Sequence, residues 1–161
     1  MKQLPHTHSC FVCGDANPKG FKLRSKTDGR IVQAEFAFDP AHVGFKNVVH
    51  GGLTATLLDE IMTWACAVAT KRFGYCAELN VRYVQAVRPG QHLVATAELV
   101  ANHRGRVFEA KAELHDDAGK ILATATGKYL PLKDAETAGM ATDFIGDLSW
   151  LTDGVGGPAE G

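Results

Sequence analysis

The chain has 161 residues, of which 45% are hydrophobic and 22% charged, and its formal net charge is −1; this is the size and composition of one globular domain with its own core. A near-neutral chain without a run of basic residues lacks the charge that neutralises phosphates, so we expect no nucleic-acid partner. No stretch approaches the roughly 20 apolar residues of a membrane span, and the opening sequence MKQLPHTHSC lacks the layout of a secretory signal, so we predict a cytoplasmic protein with no membrane partner.

The predicted elements start with a hairpin. Residues 21–25 and 31–38 have the composition of two strands, and Asp28-Gly29 between them supplies the backbone angles of a tight turn. The next element, over residues 51–71, is the only long helix candidate. Its residues are mostly Leu, Ala, Thr, Ile and Met, and it has no proline, and no glycine beyond its first two positions.

Strands separated by glycine-containing turns are predicted after the helix, over residues 76–87, 91–102, 106–116 and 120–130. In the third of them the residues alternate, so that one face is polar and the other carries Phe108, Ala110, Ala112 and Leu114. Consecutive strands joined by hairpins would form an antiparallel sheet with the helix packed on its apolar face, which is an α+β fold.

The chain divides into a domain and two flanking segments. Residues 20–132 contain the predicted helix and strands, and residues 1–19 form an irregular N-terminal segment. Residues 133–161 are rich in Gly, Ala and Asp, with one apolar group at residues 144–151. We predict that they form a C-terminal appendage that docks or stays mobile.

The predicted helix has one narrow polar side. At about 100° per residue, Thr56, Asp59 and Thr63 lie within about 40° of Gly52, and the remaining circumference is mostly apolar, as in a core helix. Asp59 is therefore either a buried acid that hydrogen bonds to Thr56, Thr63 or a neighbouring strand, or a group retained for chemistry, because burying an unpaired carboxylate is costly. Glu60 lies about 80° away, and we expect it to form an ion pair or to keep its carboxylate in water at the edge of the core.

His50-Gly51-Gly52 stands at the start of this helix. A helix N-terminus presents free backbone N–H groups and a positive dipole end, which attract an anion or a developing oxyanion, and glycines let a substrate carbonyl approach closely. The alternative is that the glycines only make the turn into the helix. Asp59 is roughly 10 Å from Gly52 along the axis, so one chain cannot readily place both on one carbonyl. Two copies with antiparallel helices would place the N-terminus of one beside Asp59 of the other, at two equivalent sites.

The segment HGGLTATLLDE, with Asp59 nine positions after His50, opens the only long helix before four antiparallel strands, and it resembles the hotdog-fold thioesterases of the PaaI type. The resemblance covers residues 10–131. It implies one long central helix wrapped by an antiparallel sheet of roughly five to six strands. It also implies hydrolysis of acyl-CoA thioesters to free acid and CoA, without a cofactor, by homodimers or dimers of dimers that share active sites between subunits.

Carried over to this sequence, the resemblance implies that the backbone N–H of Gly51, with Gly52 beside it, polarises the thioester carbonyl. Asp59 of the facing subunit would act as general base on water or as nucleophile, and His50 would set the geometry of the turn. Possible supporting positions near the acid and the turn are Glu60, Cys76, Thr63 and Asn47. Relatives often carry Ser or Thr in place of this cysteine. They also often carry an Asn six positions before the histidine, where this chain has glycine.

Coenzyme A carries phosphates, so basic residues should line its route. The candidates lie on strands and turns around the predicted sheet, and they are Arg82, Arg88, Arg104, Arg106 and Lys46. Each of them has the alternative of being a solvated surface charge.

The N-terminal sequence CFVCGDANPKGFKL resembles a CxxCG…NPxG signature of one PaaI-type subgroup. Cys10 and Cys13, with His6 and His8, could supply four zinc ligands. Both histidines precede the cysteines in a cramped arrangement, however, so we predict no metal and keep zinc as the alternative. The preferred interpretation is a loop that turns into the first strand.

Two other functions compete with thioester hydrolysis. A hydratase or dehydratase of acyl thioesters can share the fold. It would need an acid–base pair at the α and β carbons, and the sequence has no second Asp/His motif of that kind. A noncatalytic acyl-CoA-binding protein is the other alternative, and it would have no use for Asp59 on the polar side of the helix.

Overall fold

The computed structural model describes residues 1–152 and contains one long helix, four long strands and several short elements. In chain order the elements are β1 (Lys2–Gln3), β2 (His6–Thr7), β3 (Ser25–Thr27), β4 (Ile31–Phe36), β5 (Val43–Phe45), β6 (Val48–Val49), α1 (Gly51–Thr70), β7 (Gly74–Tyr83), β8 (Leu93–Asn102), β9 (Phe108–Asp116), β10 (Ile121–Pro131), α2 (Asp134–Ala141), β11 (Phe144–Ile145) and α3 (Ser149–Thr152). Within the described residues, no helix combines the length and apolar composition that crossing a membrane requires.

Helix α1 forms where the sequence predicted it, and local interactions set its ends. His50 caps the N-terminus, since its Nδ1 accepts a hydrogen bond from the Gly52 N–H at 2.9 Å. Lys71 ends the helix in a left-handed conformation with φ of 62°. The prediction of a core helix is confirmed, because its fully buried side chains include Leu57, Leu58, Ile61 and Met62.

The main sheet has seven antiparallel strands in the order β1-β3-β4-β8-β9-β10-β7. The prediction that β7 and β8 form a hairpin is wrong, because β7 pairs with β10 and β8 pairs with β4. Residues 84–92 cross between the two positions instead of turning back: the Val84 N–H donates to the Leu122 carbonyl and the Gly90 N–H to the Phe38 carbonyl, each at 2.8 Å. β1 pairs with β3, and the sheet therefore has more strands than the roughly five to six that were expected.

The first hairpin is shorter than predicted. β3 starts only at Ser25, because the preceding residues bond to the N-terminal segment. The Phe21 N–H donates to the Phe11 carbonyl at 3.0 Å, and the Leu23 N–H donates to the Val12 carbonyl at 2.9 Å. The backbone N–H groups of Phe21 and Leu23 thus bond to the N-terminal segment and are not available to extend β3 in the sheet.

The inner face of the sheet packs against α1, which contacts β4, β7, β8, β9 and β10. The predicted alternation in β9 is confirmed, since its inward residues are buried: Phe108, Ala110, Ala112 and Leu114. The side chains of this face are mostly small, which lets the helix lie close to the strands.

The two terminal segments pack together near the C-terminal end of α1. β2 pairs with β11, where Phe144 lies opposite Thr7. The Phe144 ring stacks on Phe73 at 5.5 Å between centroids and meets the Trp64 ring edge-on at 6.0 Å. The described part of the predicted appendage therefore contacts the core, whereas its residues 153–161 lie outside the described residues.

Candidate active site

The first amides of α1 differ in what they bond to. The Gly52 N–H is engaged by His50 Nδ1, and the Leu53 N–H donates to the His50 carbonyl at 2.9 Å. Among residues 1–152, the Gly51 N–H has no hydrogen-bond acceptor. Because the positive end of the helix dipole lies here, Gly51 carries the amide that is available to an oxyanion, and the Gly52 amide is not.

A groove of about 370 Å³ opens beside this amide. Its lining is mostly apolar and includes Phe45, Val48, Val49, Tyr83, Val84 and Val87. The Tyr83 hydroxyl donates to the Gly51 carbonyl at 2.6 Å, and partial burial raises the pKa of Tyr83. A Cβ at Gly51 would lie 3.3 Å from that hydroxyl oxygen, which is a tight contact. Glycine at this position therefore leaves room for the tyrosine and for a group in the groove.

The side chain of Asp59 is held by a neighbouring strand. The Tyr129 hydroxyl donates to Asp59 Oδ1 at 2.8 Å, and the tyrosine is fully buried. Burial, followed by the negative charge of Asp59, raises the pKa of Tyr129, so its hydroxyl stays protonated and remains a donor. A Cβ at Gly127 would lie 2.8 Å from Cε2 of this ring, so the glycine makes room for it.

The threonines of the polar side bond to their own helix rather than to the acid. The Thr63 hydroxyl donates to the Asp59 backbone carbonyl at 3.0 Å, and the Thr56 hydroxyl donates to the Gly52 carbonyl at 2.8 Å. Of the alternatives for a partner of Asp59, the structure therefore favours the neighbouring strand.

Cys76 lies next to this acid at the start of β7. Burial, followed by the charge of Asp59, raises the pKa of the Cys76 thiol to about 11. The thiol is therefore protonated at neutral pH and can act as a weak hydrogen-bond donor. Relatives of the PaaI type often have a hydroxyl at this position. The thiol of this chain is a weaker hydrogen-bonding group.

Within one chain, the Asp59 carboxylate and the Gly51 N–H do not share a site. The residues that line the groove include Gly51 and Tyr83 but not Asp59. Cys76, beside the acid, and Tyr83, beside the amide, lie seven positions apart on β7, which is roughly 23 Å in a strand. A site that uses both groups therefore needs a second chain.

The expectation that Glu60 keeps its carboxylate in water is wrong. The N-terminal segment covers this side of α1, so the carboxylate is buried and accepts a hydrogen bond from Trp64 Nε1 at 3.2 Å. Burial, followed by the nearby Cys10, raises the pKa of Glu60 to about 7. Among residues 1–152, Glu60 forms no ion pair. Glu60 thus faces away from Asp59 toward the two N-terminal cysteines.

Asn47 forms the turn between β5 and β6, with φ of 59°. Its carbonyl accepts a hydrogen bond from Arg88 Nη1 at 2.9 Å, so Arg88 lies at the edge of the groove, beside Val87. Arg82 is exposed on β7.

The other two candidate arginines lie near the opposite end of the helix. Arg104 and Arg106 flank Gly105 in the turn between β8 and β9, and the Gly105 carbonyl accepts from Arg72, which follows the C-terminal end of α1. This end is about 30 Å from the N-terminus of a 20-residue helix. One chain therefore does not gather the four predicted arginines around its groove.

The two N-terminal histidines do not join the cysteines. His8 Nδ1 lies 3.2 Å from Asp15 Oδ1, and His6 Nε2 lies 3.8 Å from Asp15 Oδ2. The zinc alternative built on His6 and His8 is therefore wrong in its histidine ligands.

Two tyrosines of this region were missed by the sequence analysis. For Tyr129 a signal existed, since it lies in phase with the inward Ala125 and Gly127 of β10, and a buried tyrosine hydroxyl needs a polar partner. Tyr83 gave no comparable signal, because its contact with Gly51 depends on β7 passing the start of α1.

Comparison with known proteins shows which proteins this fold is similar to. Residues 46–123 match the family model of the thioesterase superfamily. Human acyl-coenzyme A thioesterase 13 is 29% identical over 103 residues, which are 63% of this chain and 72% of the relative.

Solved structures agree with the fold. The thioesterase superfamily protein RHA08564 superposes with a TM-score of 0.70 at 23% identity, over 76% of this chain and 63% of that one. The E. coli PaaI protein superposes with a TM-score of 0.65 at 17% identity, over 74% of this chain and 86% of that one. The chain thus spans less than two thirds of the length of RHA08564.

Residues 46–123 are thus similar to the thioesterase superfamily, and the chain has the fold of that superfamily's solved members, the hotdog fold. The prediction of a hotdog fold is confirmed, and the predicted similarity to thioesterases is found again in the family model and in the human relative.

Proposed function

We propose that this chain is an acyl-CoA thioesterase whose active site combines Gly51 of one subunit with Asp59 of another. The observation that carries this proposal is the Gly51 N–H, a free amide at a helix N-terminus that faces an apolar groove. Such a donor stabilises the oxyanion that forms when a thioester carbonyl is attacked. The name of the human relative supports acyl-CoA as the thioester.

The edge strand β7 supports a two-fold assembly. It pairs with β10 on one side only, and among the described residues its other edge has no partner. Large apolar side chains are exposed along these two strands, with Tyr75 58%, Tyr83 51% and Leu130 47% accessible. A long apolar edge strand of this kind favours pairing with another copy. We therefore propose that two copies pair antiparallel through β7.

A shared site requires one particular register of the two β7 strands. In an antiparallel pair of identical strands, the sequence numbers of opposed residues have a constant sum. If the two-fold axis passes between Leu79 and Asn80, Cys76 of one chain lies opposite Tyr83 of the other. The acid beside Cys76 then approaches the start of α1 in the other chain, where Tyr83 donates to the Gly51 carbonyl. This register completes two equivalent sites.

In the proposed reaction, water attacks the thioester carbonyl carbon while Asp59 accepts its proton, or the Asp59 carboxylate attacks directly and water opens the resulting anhydride. The carbonyl oxygen becomes an oxyanion that accepts the Gly51 N–H. The carbon–sulfur bond then breaks, and the CoA thiolate takes up a proton. Tyr129 and Cys76 orient the acid and the attacking water, and Arg88 binds a CoA phosphate at the rim of the groove.

We further propose a cytoplasmic location and a thioesterase domain over residues 20–132, with the N-terminal segment and the C-terminal appendage as additions to it. The four cysteines support this location, because the structure has all of them as free thiols.

A panel of acyl-CoA substrates tests the proposed activity. Free CoA thiol is followed with short, long and aromatic acyl groups at matched concentrations, with acyl-pantetheine as a comparison. We expect release of thiol from at least one acyl-CoA, and slower release from its pantetheine analogue, because the phosphates are missing. If no substrate of the panel releases thiol, the proposed function is wrong.

The proposed assembly predicts an oligomer in solution. Light scattering at catalytic concentrations should give two or four times the mass of one chain. Replacing exposed Tyr75 with aspartate should lower the mass towards that of one chain and reduce activity in parallel, because a charge at the paired edge disfavours pairing. As a control, Glu113 on the interior strand β9 is changed to glutamine. This variant should keep the mass in solution and the activity of the native protein. A fully active monomer would contradict the shared site.

A further inference from the structure

Three potential metal ligands meet beneath the N-terminal segment. Cys10 and Cys13 belong to the CxxC motif, and Glu60 comes from α1. The Sγ atoms and a carboxylate oxygen lie within 4.8 Å of one another. Cys13 is buried and Cys10 and Glu60 are largely covered, so these groups share one enclosed site. The proposed thioesterase mechanism uses none of them.

The turn around the cysteines is built to point sulfur inward. The Val12 N–H donates to Cys10 Sγ at 3.2 Å, and the Gly14 N–H donates to the Cys10 carbonyl at 2.9 Å. A Cβ at Gly14 would lie 2.3 Å from the Cys10 carbonyl oxygen, so the turn requires glycine. Backbone N–H groups directed at sulfur stabilise a thiolate, which is the form that binds metals.

The charges of this cluster lack a compensating cation. Glu60 forms no ion pair among the described residues, and its hydrogen-bond donors are neutral groups, Trp64 Nε1 and the Cys13 thiol. Arg24 lies nearby, but its Nη1 donates to the Cys13 and Leu23 carbonyls at 2.8 and 2.9 Å. A buried carboxylate beside two thiols is costly unless a positive charge balances it.

We propose that Cys10, Cys13 and Glu60 bind one Zn²⁺ ion, which joins the N-terminal segment to α1. Zinc prefers thiolate sulfur at about 2.3 Å and carboxylate oxygen at about 2.0–2.2 Å in a tetrahedron, which places ligand atoms roughly 3.5–3.8 Å apart. The ligand atoms of the observed cluster lie within 4.8 Å of one another, so binding would draw the three side chains closer together. A water molecule supplies the fourth ligand, since the described residues bring no other Cys, His, Asp or Glu to the cluster.

In this site Glu60 takes the place of His6 and His8, which were considered as zinc ligands from the sequence. Trp64 Nε1 then orients the ligating carboxylate from the outer shell. Glu60 also follows Asp59 directly in α1, so the ion would fix the helical turn that carries the catalytic acid. This inference concerns metal content, and its test does not depend on the proposed thioesterase activity.

Cobalt substitution tests the site in the unaltered protein. The full chain, without a histidine tag, is purified under reducing conditions, stripped with a chelator and titrated with Co²⁺ and then Zn²⁺. We expect thiolate-to-cobalt charge-transfer absorption, tetrahedral visible bands that saturate at one ion per chain, and their loss when zinc is added. Reduced protein that gives no such absorption at saturating cobalt would overturn the proposal.

Variants assign the ligands. Cys10→Ser, Cys13→Ser and Glu60→Gln should each weaken zinc affinity by at least the ~10–100-fold that even outer-shell changes cost. Cys66→Ala, which changes a buried cysteine of α1 outside the cluster, should keep one zinc per chain. Thermal unfolding with and without zinc shows that each variant is folded, and zinc should raise the unfolding temperature of the native protein most. Native affinity in Glu60→Gln would remove Glu60 from the site and overturn the proposed ligand set.

Discussion

Replacing Asp59 with asparagine is expected to lower kcat by about 10²–10⁴-fold, the range for loss of a general base. Asparagine has the same shape, and its carbonyl oxygen can still accept the Tyr129 hydroxyl that binds Asp59 Oδ1 at 2.8 Å. It can neither take a proton from water nor attack a carbonyl. Initial rates of CoA thiol release at saturating substrate measure the loss, and thermal unfolding shows that the variant is folded.

The matched control is Glu113→Gln, which removes a surface carboxylate of β9 that pairs with His115. Its activity should equal that of the native protein. Unimpaired turnover in Asp59→Asn would contradict the role of this acid. An equal loss in Tyr129→Phe would indicate that the hydrogen bond to Asp59, and not only its charge, is required.

The helix and its polar side could be predicted because they depend on neighbouring residues. Periodicity, the missing prolines and the His50 cap are local properties, and the structure has α1 at Gly51–Thr70. The same reasoning placed the His50-Gly51-Gly52 sequence at the start of the helix and Asp59 roughly 10 Å along its axis, too far for one chain to place both on one carbonyl. It also explains why the alternation of β9 was predicted correctly.

The order of the strands could not be predicted in the same way. The Arg88-Pro89-Gly90 sequence has the composition of a hairpin turn, yet residues 84–92 cross from β7, beside β10, to β8, beside β4. Turn residues specify a change of direction and not the partner of the next strand, which depends on the free edges of the sheet. β8 pairs with β4 and β9 and not with β7.

The surroundings of Glu60 could not be predicted from the sequence either. The helical wheel gives its angle to Asp59 but not the segment that covers it. The N-terminal loop is 47 positions away in sequence at Cys13, and no period connects them. From the sequence we predicted no metal and kept zinc as the alternative, with the two histidines as its further ligands. The structure turns those histidines to Asp15 and brings in the glutamate instead.

Replacing Gly51 with proline is expected to lower kcat by about 10²–10³-fold, the cost of one oxyanion donor. Proline removes the backbone N–H, and it is tolerated at the first position of a helix, where that N–H has no partner within the helix. His50 has φ of −60° and ψ of 129°, the extended conformation that precedes proline readily. The helix should therefore form, and circular dichroism and thermal unfolding check that it does.

Gly51→Ala is the matched control for the added carbon atoms. Its Cβ meets the same Tyr83 hydroxyl at 3.3 Å, but its N–H remains. We expect a smaller loss of kcat than in Gly51→Pro. The difference in kcat between the two variants measures the contribution of the Gly51 N–H. Equal losses would mean that crowding of Tyr83, and not the donor, limits the reaction.

Mixed dimers decide whether the two groups come from different chains. Gly51→Pro and Asp59→Asn chains, carrying different tags, are co-expressed and purified through both tags. If Gly51 of one chain works with Asp59 of the other, each mixed dimer has one intact site and one doubly altered site, and it should show about half the activity of the native dimer. If both groups act within one chain, each site lacks one group and the mixed dimer should be as inactive as its parents. Activity therefore returns only when the site is shared across the two-fold axis.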